Sequence, residues 1–352
     1  MASPTDIERR EDTREDGRPT LLSVTVVILA FNRERAVEVT LERIKDLPVD
    51  EVLVVQGGDS PDETQALVDR FGPRARLIFP GWNTGVGGRN LAAQEATGDL
   101  LLMLDDDSYP LPGAVERLVD AFEADPQLGC AAGLIRDVDY EGTQLKETEL
   151  GTFDWFLRAG NTGPVPTEGL PIFFFPEGGC LLRRDAFLEV GGWFDPYFFT
   201  VSEVDLATRL IGAGWEVRYF PQAVFEHLKE STSRMTSTRV LHHRVRNQIW
   251  YFWRHFPTRM AAWRIPVYLG FDFLECVYRG GPRTGATAWW KGIADSWRLR
   301  GRVRGTRKPL TVAAVRRAEM NRLHLHLVLY SRQVARRLVP FLRELLRGRY
   351  RR

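Results

Sequence analysis

Three consecutive carboxylates, Asp105-Asp106-Asp107, stand directly after the apolar run 100–104. Adjacent carboxylates repel, so at least one must hold a proton or turn to water unless a cation lies among them. Mg²⁺ or Mn²⁺ prefers carboxylate oxygen and is commonly shared with substrate phosphates. A solvated acidic turn ahead of the next helix is the alternative for the triplet alone. A second candidate is Asn83-Thr84-Gly85-Val86-Gly87-Gly88-Arg89-Asn90. Its glycines let backbone approach a ligand, a following helix start offers free N–H groups to an anion, and Arg89 adds a charge. A plain turn explains the glycines equally well. The third is Ser202-Glu203-Val204-Asp205, which also reads as a near capping box with Ser202 as N-cap. His227 could ligate a metal or be structural. His242, His243 and His255 sit among Arg and Trp and are assigned no chemistry.

The elements that would position these residues alternate. Residues 24–30, 52–55, 76–79 and 100–104 read as buried strands. Helical patterns fall between them, with Val37, Leu41 and Ile44 on one face, then at 62–71, 90–96 and 113–122. Such alternation means a mostly parallel sheet covered by helices, with ligands beyond the strands' carboxyl ends. Residues 137–169 read as irregular, 172–175 and 217–220 as strands, and 184–190 and 203–211 as helices. From about 238 the chain is helical and rich in Trp and Arg, with a basic linker at 298–308 and a basic amphipathic helix pair at 312–346.

The chain has 352 residues, room for one large domain plus an appendage, or for two domains. Residues 1–20 are polar, lack the apolar core of a signal peptide and are expected to be a disordered tail. Cys130, Cys180 and Cys276 form no CxxC pair, which argues against a zinc site or disulfide scaffold and fits a reducing compartment. The net charge of +2 hides an asymmetry. From Arg234 onward there are 27 Lys and Arg against 5 Asp and Glu, so the back carries about +22 and the front about −20. That points the tail to a polyanionic surface, either an anionic membrane or nucleic acid. The most apolar stretch, 261–278, is interrupted by Arg264, Pro266, Asp272 and Glu275, so no spanning helix is expected.

Between about residues 24 and 227 the motifs together resemble family 2 glycosyltransferases of the GT-A fold. The first strand ends in Ala30-Phe31-Asn32-Arg33, like the family's YNR turn. The NxGxxxxRN loop is residues 83–90, and the LDDD signature is residues 104–107, followed by Pro110 and Pro112. Arg183-Arg184, Gly191-Gly192-Trp193-Phe194-Asp195 and residues 202–209 match the RR…GGFDE…EDxDLxxR stretch. Pro221-Gln222-Ala223 with His227 matches the PxAxxxH ending, and Arg246-Asn247 with Phe256-Pro257 a later RN…FP pattern.

The resemblance implies an α/β, GT-A type fold: a Rossmann-like nucleotide half, an acceptor half, and a C-terminal helical extension. The catalytic domain would be 21–235 and the basic extension 236–352. It implies an inverting transferase in which Asp107 and His227 hold Mn²⁺ or Mg²⁺. Ala30, Asn32, Arg33, Gln56, Asn83, Gly87, Arg89, Asp105, Asp106 and Arg246 would bind the nucleotide sugar. Glu203 would deprotonate the acceptor hydroxyl. Trp155, Glu177, Gly178, Trp193 and Asp205 would face the acceptor. Two residues depart from the family. Gln56 stands where an Asp usually pairs with uracil, and its amide offers both donor and acceptor, so pyrimidine recognition stays open; UDP or dTDP is expected ahead of GDP. Ser202-Glu203 stands where Glu-Asp is usual, which changes the base's reach by one carbon–carbon bond.

A sugar-phosphate nucleotidyltransferase would need a GGxGTRL-like loop where Phe31-Asn32-Arg33-Glu34-Arg35 stands. A purely binding protein would rest on the tail alone, where Leu323, Leu325, Leu327, Val334, Leu338 and Phe341 among arginines favour a membrane-lying helix over nucleic acid. The expected acceptor is a lipid-linked or cell-envelope glycan, with a small soluble acceptor as the alternative. The expected location is the cytoplasm, with peripheral contact at the membrane's cytoplasmic face.

Overall fold

The apolar runs of the first half fold as alternating strands and helices: β1 (Val24–Ala30), α1 (Glu34–Ile44), β2 (Glu51–Gln56), α2 (Pro61–Phe71), β3 (Ala75–Ile78), α3 (Gly88–Glu95) and β4 (Leu100–Asp105). The computed structural model describes residues 22–59, 61–148, 152–153, 159–160, 168–229 and 238–315, and side chains of all of these outside 145–160. The expected disordered tail at 1–20 lies outside the described residues. β1 and β2 are buried along nearly their whole length, which is why they read as continuous apolar runs. β1 lies between β2 and β4, parallel to both, and β3 extends the sheet beyond β2. α1 turns Ala36, Val37, Thr40, Leu41 and Ile44 inward, the 3–4 spacing of one helical face.

The second half comprises β5 (Ser108–Pro110), α4 (Ala114–Ala124), β6 (Leu128–Val138), β7 (Gln144–Thr148), β8 (Thr152–Phe153), β9 (Ala159–Gly160), β10 (Leu170–Pro171), β11 (Cys180–Arg183), α5 (Arg184–Glu189), α6 (Ser202–Ala213) and β12 (Glu216–Leu228). The main sheet runs β10-β12-β6-β11-β4-β1-β2-β3. The β4-β1-β2-β3 half is all parallel. β11 then joins antiparallel between β4 and β6, and β12 runs parallel to β6, so the sheet as a whole is mixed. Apolar clusters cover both faces.

Four expectations change here. β6 and β11 had no counterpart in the sequence reading. β6 carries Gly129 and Gly133 because a Cβ there would press on Trp215 and Phe225, and those glycines mask the strand. β7 lies inside the stretch read as irregular. Residues 172–175 are not a strand; Ile172, Phe173 and Phe175 are buried as core side chains after the two-residue β10. The strand expected at 217–220 continues to Leu228 through a bulge between Phe220 and Val224, where Pro221 is tolerated.

The extension is α7 (Thr238–His255), α8 (Thr258–Gly280) and α9 (Pro282–Arg298). α7 shares a buried cluster with the sheet-bearing part, in which Trp250, Tyr251 and Phe252 join Phe173, Tyr197 and Val204. Gly285 and Gly292 let α9 approach the backbones of α8 and α7. The segment read as a basic linker is folded: Lys308 N donates to Arg254 O at 3.1 Å and Leu310 N to His255 O at 2.8 Å. A helical turn begins at Val312; the rest of the expected helix pair, residues 316–346, lies outside the described residues. Among the described residues no helix is long and apolar enough to cross a membrane.

Candidate functional site

β1 connects to β2 on one side while β4 flanks it on the other, so a crevice opens beyond the carboxyl ends of β1 and β4. The chain places its carboxylates there. Arg33, just past β1, holds Asp106 at 2.6 Å and Asp107 at 2.5 Å. Thr40 of α1 donates to the Asp106 carbonyl at 2.8 Å, and Asp105 N donates to Ser108 Oγ at 2.9 Å, which fixes the turn. β5 pairs with β12 so that Ser108 faces His227. His227 Nε2 then lies 3.2 Å from Asp107, and its Nδ1 3.1 Å from Asp137. A strand end, a short hairpin partner and a bulged strand thus meet at one point.

The charges there are mutually adjusted. Burial and the neighbouring Asp107 push the Asp106 carboxyl up to about 7. Burial also acts on Asp107, but His227 and Arg33 outweigh it and hold that carboxyl at about 2. His227 is raised to about 9 because hydrogen bonds to Asp107 and Asp137 exceed the effect of burial. Ligand atoms of Asp105, Asp107 and His227 lie within 4.8 Å of one another. Two carboxylates and an imidazole suit Mn²⁺, and Mg²⁺ less closely. The set fits, since Asp137 orients the imidazole through its other nitrogen, and binding would release the proton His227 now shares with Asp107.

A second group is tied to this one. Arg89 of α3 is fully buried and pairs with Asp105 and, at 3.3 Å, with Glu177. Ser202 Oγ donates to Glu177 and lies 3.4 Å from Glu203 Oε2. The path Asp105–Arg89–Glu177–Ser202–Glu203 links the acidic turn to the start of α6. Burial, then the charge of Glu177, raises the Glu203 carboxyl to about 8, and burial raises Glu177 as well. Gly178 leaves room for the acidic turn, because a Cβ would come within 2.5 Å of Asp105 Oδ2 and 2.8 Å of Ser108 Oγ and push those side chains aside. Ser202 is not an N-cap. That position is Val201, left-handed at φ 64°, with no side-chain cap bond, and the Ser202 hydroxyl is spent on Glu177 instead.

The glycine loop leans on protein from Val86 to Arg89, while Asn83 at its start is exposed. Asn83 Oδ1 accepts from Gly85 N at 3.0 Å, Val86 N donates to Phe198 O at 3.0 Å, and a Cβ on Gly87 would meet Asp195. Asn32, at φ 50°, accepts from Asp59 N at 3.0 Å. Ala30 is buried and accepts from Gly57 N at 3.0 Å.

Several expected site residues are placed elsewhere. Gln56 is fully buried; its amide donates to Thr64 at 2.8 Å and accepts from Gly58 N at 2.9 Å, so it shapes the turn rather than presenting its amide to a base. Trp193 is buried against Phe175, Phe187 and Arg89, so it floors the site and does not face an acceptor. Asp205 is fully buried, taking Tyr197 at 3.0 Å, Arg209 at 2.8 Å, His255 at 2.6 Å and Arg254. Burial alone would raise its carboxyl, yet Arg209, His255 and Arg254 hold it well below the carboxylate range; it is a structural hub. Arg246 is buried, donates to Tyr197 O at 3.0 Å and has its guanidinium lowered to about 10 by burial. It braces the loop before α6. Trp155 lies outside the described residues. Sequence reasoning missed Asn247, whose amide donates to the carbonyls of Tyr197, Phe199 and Thr200 at 2.6–3.0 Å. That loop holds Phe198, Thr200 and Val201 at positive φ, and only the RN…FP pattern hinted at its brace.

Residues 25–191 match the family model described as glycosyl transferase family 2. The N-acetylglucosaminyl-diphospho-decaprenol L-rhamnosyltransferase of Mycobacterium tuberculosis is 31% identical over 245 residues, covering 61% of this chain and 78% of that one. A probable glycosyltransferase of Bacillus subtilis, YdaM, is 27% identical over 228 residues, 61% of this chain and 51% of its own. Among solved structures, S. aureus TarS residues 1–349 in complex with UDP-GlcNAc superposes with a TM-score of 0.54 at 13% identity, covering 78% of this chain and 80% of that one. GalNAc-T7 with UDP, GalNAc and Mn²⁺ gives 0.55 at 16% identity, covering 68% and 51%. These two likenesses concern the fold.

Proposed function

The chain belongs to glycosyl transferase family 2, and we propose that this glycosyltransferase moves a sugar, with inversion, from a nucleoside-diphosphate donor to the hydroxyl of a lipid-linked glycan. The observation that carries the reading is the convergence of Asp105, Asp107 and His227 at the β1/β4 crevice, tied through Arg89, Glu177 and Ser202 to Glu203. Asp107 and His227, with Asp105, hold Mn²⁺ or Mg²⁺. When bound, that cation offsets the charge on the departing diphosphate. Asp105, the most exposed of the three aspartates at 38% of its side chain, meets the ribose side of the donor. Arg33 keeps Asp106 as its partner when the cation takes Asp107. The turn that Gln56 and Asn32 build receives the base; the expectation of UDP or dTDP ahead of GDP rests on the family resemblance and not on the Gln56 amide.

Glu203 is the general base. Its raised carboxyl suits it to accept a proton from a hydroxyl near neutral pH. Glu177 and Gly178 stand between it and the acidic turn, and the acceptor approaches from that side. The M. tuberculosis relative is named for transfer to a diphospho-decaprenol-linked sugar, which supports a polyprenyl-diphosphate-linked acceptor here. The test supplies UDP- and dTDP-sugars with Mn²⁺ to the full chain and a polyprenyl-diphosphate GlcNAc, with products read by mass spectrometry. A lipid product one sugar heavier is expected. Transfer only to small soluble acceptors would overturn the acceptor class, and failure of every donor to react or bind would overturn the function.

A further inference from the structure

The extension presents an unusual outer surface. On α8, Trp263, Val267, Leu274 and Tyr278 are exposed, Leu274 to 64% and Tyr278 to 90%. Their spacing of four, seven and four residues puts them on one helical face, a stripe about 22 Å long at the helical rise. The exposed positions between them, such as Pro266, Gly270 and Phe273, are also uncharged. α9 continues the surface with Trp290 and Trp297, exposed to 64% and 69%. Phe273 packs edge-on to Trp289 at 5.3 Å and Trp289 to Trp290 at 4.8 Å, so the two helices' faces join.

The charge around this face has one sign. Residues 238–315 contain fifteen Lys and Arg but three carboxylates, Asp272, Glu275 and Asp295. Asp272 pairs with Arg244, Glu275 with Arg244 and, at 2.9 Å, with Arg279, and Asp295 with His242 and, at 3.2 Å, with Arg298. Exposed Arg259, Arg283 and Lys291 flank this apolar, Trp- and Tyr-bearing stripe, and no carboxylate among the described residues 238–315 is exposed. Aromatic rings settle at the level of lipid headgroups, and basic residues beside them draw in anionic lipid. A second copy of the same surface would bring like charges together.

We propose that the outer face of α8 and α9 is a docking surface for an anionic lipid bilayer, on which the protein lies without crossing. The proposal uses none of the catalytic assignments. It places the anchor on folded helices rather than on residues beyond 315, and the two locations are separable by mutation. Leu274→Glu with Tyr278→Glu introduces charge at positions exposed enough to leave packing alone.

The experiment sediments the full chain with vesicles of phosphatidylcholine alone or with a third phosphatidylglycerol. Wild type is expected to pellet with the anionic vesicles and not the neutral ones, and the double variant to lose at least tenfold in partitioning. Melting temperature and Mn²⁺-dependent nucleotide binding should be the same in both proteins. Wild type that stays in the supernatant overturns the proposal. So does a variant that binds vesicles as well as wild type, which moves the anchor elsewhere. A self-association lost in the variant, without vesicle binding, assigns the face to a second copy and also overturns it.

Discussion

Asp205→Asn removes one charge from a fully buried site while keeping the side chain's shape. The aspartate accepts from Tyr197 at 3.0 Å and Arg209 at 2.8 Å, contacts Arg254, and takes His255 Nε2–H at 2.6 Å. Burial lowers the His255 imidazole despite that contact, so His255 donates as a neutral ring and the arginines supply the positive charge. Leaving two guanidinium groups short of a buried counter-charge costs about 3–5 kcal/mol. At about 2 °C per kcal/mol, the end of the range suited to a long chain, melting should fall by about 6–10 °C. The folded carboxyl lies below its unfolded value of about 3.9. Its contribution is therefore complete above that pH and disappears as pH falls through the folded value. Urea unfolding of wild type and variant should differ by a constant amount from pH 5 to 8, with the gap closing below about pH 4. A variant within about 1 kcal/mol of wild type across the neutral range would refute the hub. An unchanged melt with a raised KM for acceptor would return Asp205 to the acceptor side.

Glu203→Gln should lower turnover by about 10²–10⁴-fold, the usual worth of a general base, with nucleotide affinity by calorimetry unchanged. In wild type, kcat/KM should rise with pH with its midpoint near or below pH 8, since the base acts as its carboxylate and a bound cation would favour that form. A rate that falls between pH 6 and 8 would refute the assignment. Gly178→Ala puts a Cβ 2.5 Å from Asp105 Oδ2. Overpacking of about 1–3 kcal/mol should appear as roughly tenfold weaker Mn²⁺-dependent nucleotide binding; unchanged affinity would mean that Asp105 takes no part.

The parallel half was legible because β1, β2 and β4 are buried on both faces and their apolar runs are unbroken. The acidic turn was legible because it follows β4 without a gap. What stayed hidden depended on distance along the chain. β6 reads as loop because Gly129 and Gly133 make room for Trp215 and Phe225, some ninety residues on. His227 lay beyond the strand read at 217–220, whereas a bulge lets β12 run on and deliver it to Asp107. Asp205 looked like a helix-start carboxylate facing ligand, because Arg254 and His255 lie about fifty residues away. Ser202 looked like a cap until its hydroxyl found Glu177.

The most direct test of the donor site is calorimetric binding of UDP, dTDP and GDP, each with and without Mn²⁺, to wild type and Asp107→Ala, with melting curves to confirm that the variant is folded. The expected result is Mn²⁺-dependent binding of UDP or dTDP, with that dependence lost in Asp107→Ala. Absence of nucleotide binding in wild type, or an unchanged Mn²⁺ dependence in the folded variant, would contradict a metal-assisted donor site at the end of β4.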